Sequence, residues 1–515
     1  MIRFIRDKLT ELAKGKDGLR LFTFFAIYFT LWIVLAAYLP QSAERDSNEQ
    51  VVWSQSWQWG YYKHPPLTSA LLHAVNILFG GPSLGIIAFA AQGCSLVALF
   101  YVGLLAKQML SKKLAIIAVL LTSLIAYHNF RALTFNHNTV SLPFTAAAWY
   151  YFYCGIRCPK KLSNWLWLGL VCGLAMLTKY SAVMILASIL VVMVWQRLWI
   201  KSVILGLLVS SVVFLVTVSP NLIWLIDNHW LPFSYLQQEL TGSSNRLSIF
   251  GQFIATQLVR LSYLLPTLLG IGYLSKRGII KGVSSQSSHS SREKDDLHYL
   301  LIILFTPLIL SSMPLLLSGS FVNSNWVSAF FLPTGILITK CCLHRLEETP
   351  LLKRTYQFAA LTHVIIWGVF FLASAVYPSV TGKKDRSNFP NQALAKKVTE
   401  IWSQQQREPL AILISDTWTG GNLLLRLRPE PTLLIDNDPQ KSPWVSAHDL
   451  ASCGALILFP QSEMTANTYS ALFDQASTKG EFVLTWGKAP RGEVVHFIWG
   501  IKPALPNEGP CRLRP

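Results

Sequence analysis

Residues 21–39 read LFTFFAIYFTLWIVLAAYL, a run without a formal charge. A helix needs about 20 apolar residues to cross roughly 30 Å of hydrocarbon, and this stretch supplies them. It is too long for a signal-peptide core, and no small-residue cleavage site follows, so it reads as a retained first span. The rest of the chain agrees. Of 515 residues, 52% are hydrophobic and only 14% charged, whereas a soluble domain carries about 25% charged residues. A water-soluble core of this size cannot hide that deficit.

Further apolar runs lie near 84–106, 114–128, 139–156, 163–178, 181–196, 202–219, 254–275, 298–318, 327–339 and 356–376. The expectation is a polytopic α-helical membrane protein of about eleven transmembrane helices. An odd count puts the termini on opposite sides. Lys and Arg set the orientation, because cytoplasmic loops are enriched in them. With the N-terminus inside, inner segments carry Arg3, Arg6, Lys8, Lys107, Lys112, Lys113, Arg157, Lys160, Lys161, Lys276, Arg277, Lys340 and Arg345. Outer segments hold far fewer, chiefly Arg45, Lys63, Arg131, Lys179 and Arg246. The net charge of +18 is thereby spread over loops facing an anionic leaflet, so it is no signal for nucleic acid.

Four regions follow: a cytoplasmic amphipathic N-terminus over 1–20, a membrane domain over 21–376 with long outside loops at 41–83 and 220–253, and a tail over 377–515. In the first loop, TSALLHAVNILFGG is apolar but too short to cross, and reads as an interfacial helix. Residues 283–296 read as a flexible inner linker without catalytic content. The tail alternates helix-like ALAKKVTEIW with strand-like LAILIS, PTLLID, ALILF, EFVLTW and VVHFIW, which predicts a soluble α/β domain. Its two cysteines, Cys453 and Cys511, would be free to pair outside a reducing compartment.

The candidate chemistry lies in RDSNEQVVWSQSWQWGYYKHPPL, residues 45–67. If helical, this segment sets Asp46 and Glu49 one turn apart just beyond the first span, where a carboxylate could take a proton from an attacking hydroxyl. Two acids in a solvated helix start meet the same spacing. Lys63 and His64 precede Pro65-Pro66, whose fixed φ angles stiffen the backbone beneath them. With Arg131, His137, Lys179 and Arg246 they could form a cationic pocket for phosphate; each alone also suits a base contacting lipid headgroups. No spaced His/Cys cluster of the zinc type is present, so no metal ligand is assigned. A divalent metal stays open, since the fold could bring Glu49 and His137 together.

The acidic motif after the first span, then WSQ and WGYYKHPPL, resembles the GT-C membrane glycosyltransferases of the protein-mannosyltransferase and aminoarabinose-transferase type. The match is closest to their bacterial family-39-like branch. GLAMLTKYSAVMIL at 173–186, SPNLIWLIDNHW at 219–230, NSNWVSAFFLP at 323–333 and SPWVS at 442–446 follow in that branch's order. The resemblance implies transfer of a sugar from a polyprenyl-phosphate donor, with inversion, to an extracytoplasmic acceptor, either a glycolipid such as lipopolysaccharide or a protein. It implies a multi-pass protein of the bacterial inner membrane with a periplasmic tail. The catalytic acid maps onto Asp46 and a second acid onto Glu49. The phosphate-contacting base maps onto His64, where the aminoarabinose enzymes have Lys in a Glu-Lys-Pro-Pro context. A further acid common in the next outside loop is replaced by Asn138. On this reading Asp46 is the base or orients the acceptor, and Glu49 binds acceptor or sugar. Lys63, His64, Arg131 and Arg246 hold the donor phosphate, whose developing charge is the main thing to stabilise. Two competing classes remain: a lipid or solute transporter or flippase, and a non-catalytic scaffold for the tail.

Overall fold

The structure, a computed structural model, describes residues 15–239, 245–282, 291–318, 323–463, 470–487, 492–505 and 508–513. Most of it is helical. In chain order the first helices are α1 (Gly15–Tyr38), α2 (Arg45–Trp53), α3 (Leu67–Phe79), α4 (Leu84–Met109), α5 (Lys112–Leu124) and α6 (His137–Arg157). They are followed by α7 (Leu162–Thr178), α8 (Val183–Trp195), α9 (Lys201–Asp227), α10 (Leu231–Glu239) and α11 (Arg246–Leu261). Six described helical stretches are long and apolar enough to cross a membrane: 15–38, 84–109, 201–227, 246–276, 291–317 and 348–381. Two bent pairs, at 112–133 and 324–343, raise that to eight if each pair is one span. The shorter apolar helices include α7 and the 180–195 segment.

Two expectations need correction. The loop expected at 220–253 begins within a helix, since α9 continues through Pro220 to Asp227, and its described remainder holds α10 and the start of α11. The chain turns between α9 and α10 through His229 and Trp230, both at positive φ. The inner linker also ends earlier than expected, because a helix starts at Ser291. Within it Asp296 is buried, accepts from Tyr153 Oη at 2.7 Å and pairs with Arg157 at 2.5 Å and Lys340 at 3.5 Å. A buried carboxylate needs such partners, so this residue ties three segments together. Residues 283–290 of the linker, and the N-terminal residues 1–14, lie outside the described residues.

All five strand-like segments of the tail are strands: β1 (Ile412–Ser415), β2 (Thr432–Ile435), β3 (Ala455–Pro460), β4 (Thr478–Trp486) and β5 (Glu493–Lys502). They form one sheet in the order β2-β1-β3-β5-β4. β1 pairs in parallel with β2 and β3, while β5 pairs antiparallel with β3 and β4. Side chains alternate between faces along a strand, and here each face meets a different core. Ile412, Ile414, Leu434, Ile457 and Phe459 pack with Cys453, which is disulfide-bonded to Cys511. Leu413, Leu433, Leu456 and Leu458 instead share a core with Val51, Val52, Trp53, Tyr61 and Leu72 of the first loop. The sheet unit is therefore built onto the first loop, and its core is continuous with that loop.

Candidate active site

α2 buries its polar residues. Ser47, Asn48, Glu49 and Gln50 are all under 9% exposed, and a buried polar group must find a partner or cost stability. The helix is held from two sides. On one, Ser47 Oγ accepts from Phe135 N at 3.0 Å, and Gln50 takes a hydrogen bond from Ser69 Oγ at 2.8 Å. On the other, Asn422 Oδ1 accepts from Ala43 N at 2.9 Å, and the Thr417–Leu424 helix lies flush against α2 at Gly421. A Cβ on Gly421 would fall 2.7 Å from Asn48 Cβ, so this approach requires glycine.

Asp46 and Glu49 stand one turn apart on α2, as expected, but they have different neighbours. Asp46 Oδ2 accepts from Asn136 Nδ2 at 2.9 Å. The same Asn136 caps α6 through its Oδ1, which accepts from the amides of Asn138 and Thr139 at 3.0 Å. The carboxylate is thereby oriented by the start of α6. Asn138, the residue standing in place of an acid, accepts from Lys179 Nζ at 2.6 Å. Burial brings the Lys179 pKa down to about 7, with the Asp46 charge pulling the other way.

Glu49 Oε1 instead accepts from Lys63 Nζ at 2.8 Å. Burial pushes the Glu49 carboxyl upward, opposed by the Lys63 ammonium. Burial works against the Lys63 charge, but the Glu49 carboxylate outweighs it and holds the ammonium protonated. A tight turn sets the height of Lys63 and His64: Tyr61 N donates to His64 O at 2.9 Å, and Tyr61 Oη donates to Trp53 O at 3.0 Å. The Tyr61 ring stacks on Trp53 with centroids 4.7 Å apart. His64 lies against His137, ring centroids 3.8 Å apart. Burial, His137 and the two nearby lysines lower the His64 pKa well below its usual value, so its imidazole is neutral at pH 7. His137 is lowered to about 3, first by burial and then by Lys179.

Two cavities flank α2 and share Arg45. One, of about 270 Å³, is lined by Asp46, Arg131, Asn138, Asn325 and Arg386. The other, of about 440 Å³, is lined by Glu49, Tyr62, Lys63, Tyr235, Asp436 and Lys441. The four expected phosphate ligands are thus divided. Lys63 faces the larger cavity, His64 lies behind it beside His137, and Arg131 sits on the Asp46 side. Arg246 is exposed at the start of α11 and is not among the described residues lining either cavity.

Several contributors carried no clear sequence signal. Arg386, Asp436 and Lys441 come from the tail, far along the chain. Arg260 is buried, donating to Tyr127 Oη at 2.5 Å, Ser324 O at 2.7 Å and Asn325 Oδ1 at 2.8 Å. It therefore braces two residues that line the smaller cavity. Its one signal is a lone arginine in an otherwise apolar segment, where ionisable groups mark function by default.

Comparison with known proteins places the chain among similar sequences and folds. A family model described as dolichyl-phosphate-mannose-protein mannosyltransferase matches residues 63–224. The lipopolysaccharide core galacturonosyltransferase RgtA of Rhizobium johnstonii is 24% identical over 466 residues, covering 87% of this chain and 88% of that protein. RgtB of the same organism, also a lipopolysaccharide core galacturonosyltransferase, is 25% identical over 442 residues, covering 83% and 85%. Among solved structures, ArnT from Cupriavidus metallidurans bound to undecaprenyl phosphate matches with a TM-score of 0.59 at 12% identity, over 94% of this chain and 98% of that one. That likeness is one of fold.

Proposed function

We propose that this chain, a membrane glycosyltransferase of the GT-C fold, moves a sugar from a polyprenyl-phosphate carrier to a lipopolysaccharide-core glycolipid at the outer face of the bacterial inner membrane. The observation that carries the reading is the placement of an acid and a cation on two sides of one helix. Asp46 borders one cavity and the Glu49–Lys63 pair borders the other. Inversion requires the nucleophile to arrive opposite the departing phosphate, so the reacting sugar must reach from Asp46 to Lys63 past Arg45, which lines both cavities. Asp46 then takes the proton of the acceptor hydroxyl or orients it, and Lys63 meets the negative charge that grows on the leaving phosphate. His64, neutral, adds no charge of its own to the phosphate side. Arg131, with Arg45 and Arg386, falls on the acceptor side and suits an anionic glycolipid.

RgtA and RgtB support the acceptor class, and the undecaprenyl phosphate of ArnT supports the carrier. A transporter would need its ionisable groups in mid-span, whereas here the acids and bases facing cavities gather around α2 at one end of the bundle. About eleven spans follow if α6, α7 and α8 cross along with the long helices and bent pairs. The N-terminus is then cytoplasmic, and the 377–515 unit is periplasmic beside the first loop on which it packs.

The test is transfer by the purified chain in nanodiscs. Polyprenyl-phosphate donors carrying galacturonic acid, aminoarabinose or neutral hexoses are offered with lipopolysaccharide-core acceptors, and products are read by mass. The relatives put galacturonic acid first. A mass gain of one sugar residue is expected; no gain from any such donor would contradict the reading.

A further inference from the structure

Glu49, His64 and His137 come from three separate segments: α2, the turn before the proline pair, and the first residue of α6. Their ligating atoms lie within 4.8 Å of one another. None of the roles above uses the three together. His137 Nδ1 lies 3.1 Å from the carbonyl oxygen of Thr178. A carbonyl only accepts, so Nδ1 carries the proton and Nε2 keeps its lone pair. That nitrogen now accepts from the Gln50 amide at 3.0 Å. An imidazole with one N–H anchored on a backbone carbonyl and the other nitrogen turned inward is the arrangement metal-binding histidines adopt. Glu49 and His137 are 8% and 5% exposed and His64 is half-buried, so most of the cluster is shielded from water.

Charge points the same way. Lys63 engages Glu49 Oε1, leaving Oε2 for another partner. Lys63 still reaches the donor phosphate, but Glu49 offsets part of its charge, and the anion that grows there calls for more positive charge than Lys63 alone supplies. A divalent ion on Oε2 and the two imidazoles would supply that charge. Two histidines and a carboxylate form a donor set suited to zinc, which leaves a fourth position open when catalytic.

We propose that Glu49, His64 and His137 bind one divalent cation of the zinc class, with a phosphate oxygen of the lipid-linked donor completing its coordination. Only the phosphate rests on the function proposed above; the cation site stands on the three side chains. Zinc bonds of about 2.0–2.1 Å place tetrahedral ligands roughly 3.4 Å apart, so the three side chains must close inward on the ion. Gln50 gives up its bond to His137 and keeps that to Ser69.

The experiment uses the full chain, purified without a histidine tag, reconstituted in nanodiscs and stripped with a chelator. It is then titrated with Zn²⁺ and separately with Co²⁺. One equivalent per chain is expected, with visible ligand-field absorption for Co²⁺. His64→Ala, His137→Gln and Glu49→Gln should each weaken binding at least tenfold, the scale of losing a ligand or its support. His73→Ala, outside the cluster, should leave binding unchanged. Thermal unfolding of each variant identifies those that remain folded, and His137→Gln preserves a polar contact if an alanine there does not. Failure of stripped wild type to take up an equivalent, or equal uptake by the folded variants, would overturn the site. Uptake without sugar transfer would leave the site standing and remove the functional reading; transfer without uptake would do the reverse.

Discussion

Asp46 is held by a neutral amide and Glu49 by an ammonium, so the two acids respond differently to change. Removing Lys63 leaves Glu49 buried without its counter-charge. Lys63→Met is therefore expected to destabilise metal-stripped protein by about 3 kcal/mol, the low end for breaking a buried pair. The double variant Glu49→Gln/Lys63→Met should recover most of that loss. Thermal unfolding in detergent measures both, and strictly additive losses would mean the pair is not coupled. Lys179 gives a pH prediction. Its pKa of about 7 is lowered from the ordinary lysine value, so the ammonium beside Asn138 is present below that pH and lost above it. Acceptor kcat/KM should fall as pH rises past about 7, and Lys179→Met should abolish that limb. A limb unchanged in the variant would belong to another group. At this scale the charged residues were legible, because Asp46, Glu49, Lys63 and His64 stand out in a chain with so few charges. Asn136 was not, since an amide that both caps a helix and orients a carboxylate has no charge to mark it.

As an element, α2 is a short polar helix clamped between the start of α6 and the Thr417–Leu424 helix. The clamp makes a residue of the tail a positioning residue for the site. Gly421→Val should lower kcat at least tenfold although Gly421 lines neither described cavity, because its side chain would push Asn48 and the acids beside it away. A wild-type rate in the folded variant would show that α2 keeps its place without this contact. The strands of the tail were legible from their short apolar runs, and the long spans from length and lack of charge. The start of the 220–253 loop was placed too early, because the apolar run before it was bounded near residue 219. Within a helix near the membrane, neighbours can satisfy the backbone group that Pro220 frees, and α9 runs on to Asp227. The end of the 283–296 linker was placed too late: its polar composition reads as flexible throughout, yet a helix starts at Ser291 and Asp296 is buried among three partners.

For the whole molecule, the tail and the first loop share one hydrophobic core, so they must lie on the same side of the membrane. Reporter fusions after residue 380 should report a location outside the cytoplasm, and a fusion near residue 160 should report inside. A cytoplasmic tail would overturn the orientation and place the site on the wrong face for a periplasmic acceptor. Composition and the long charge-free runs made the multi-pass character legible, because the cost of burying charge in lipid acts on every span, while the Lys/Arg orientation is what the fusions test. The union of tail and loop was not legible, since nothing local records which face of a sheet meets a segment more than 300 residues earlier, as Gln55 meets Glu430. The proposed reaction depends above all on the carboxylate at position 46. Asn is nearly isosteric with Asp but carries no charge and is no base. With saturating polyprenyl-phosphate donor and glycolipid acceptor, turnover by folded Asp46→Asn is expected to fall by about 100-fold or more, the scale of losing a general base. Turnover close to that of the unaltered chain would contradict the account and remove Asp46 from the reaction.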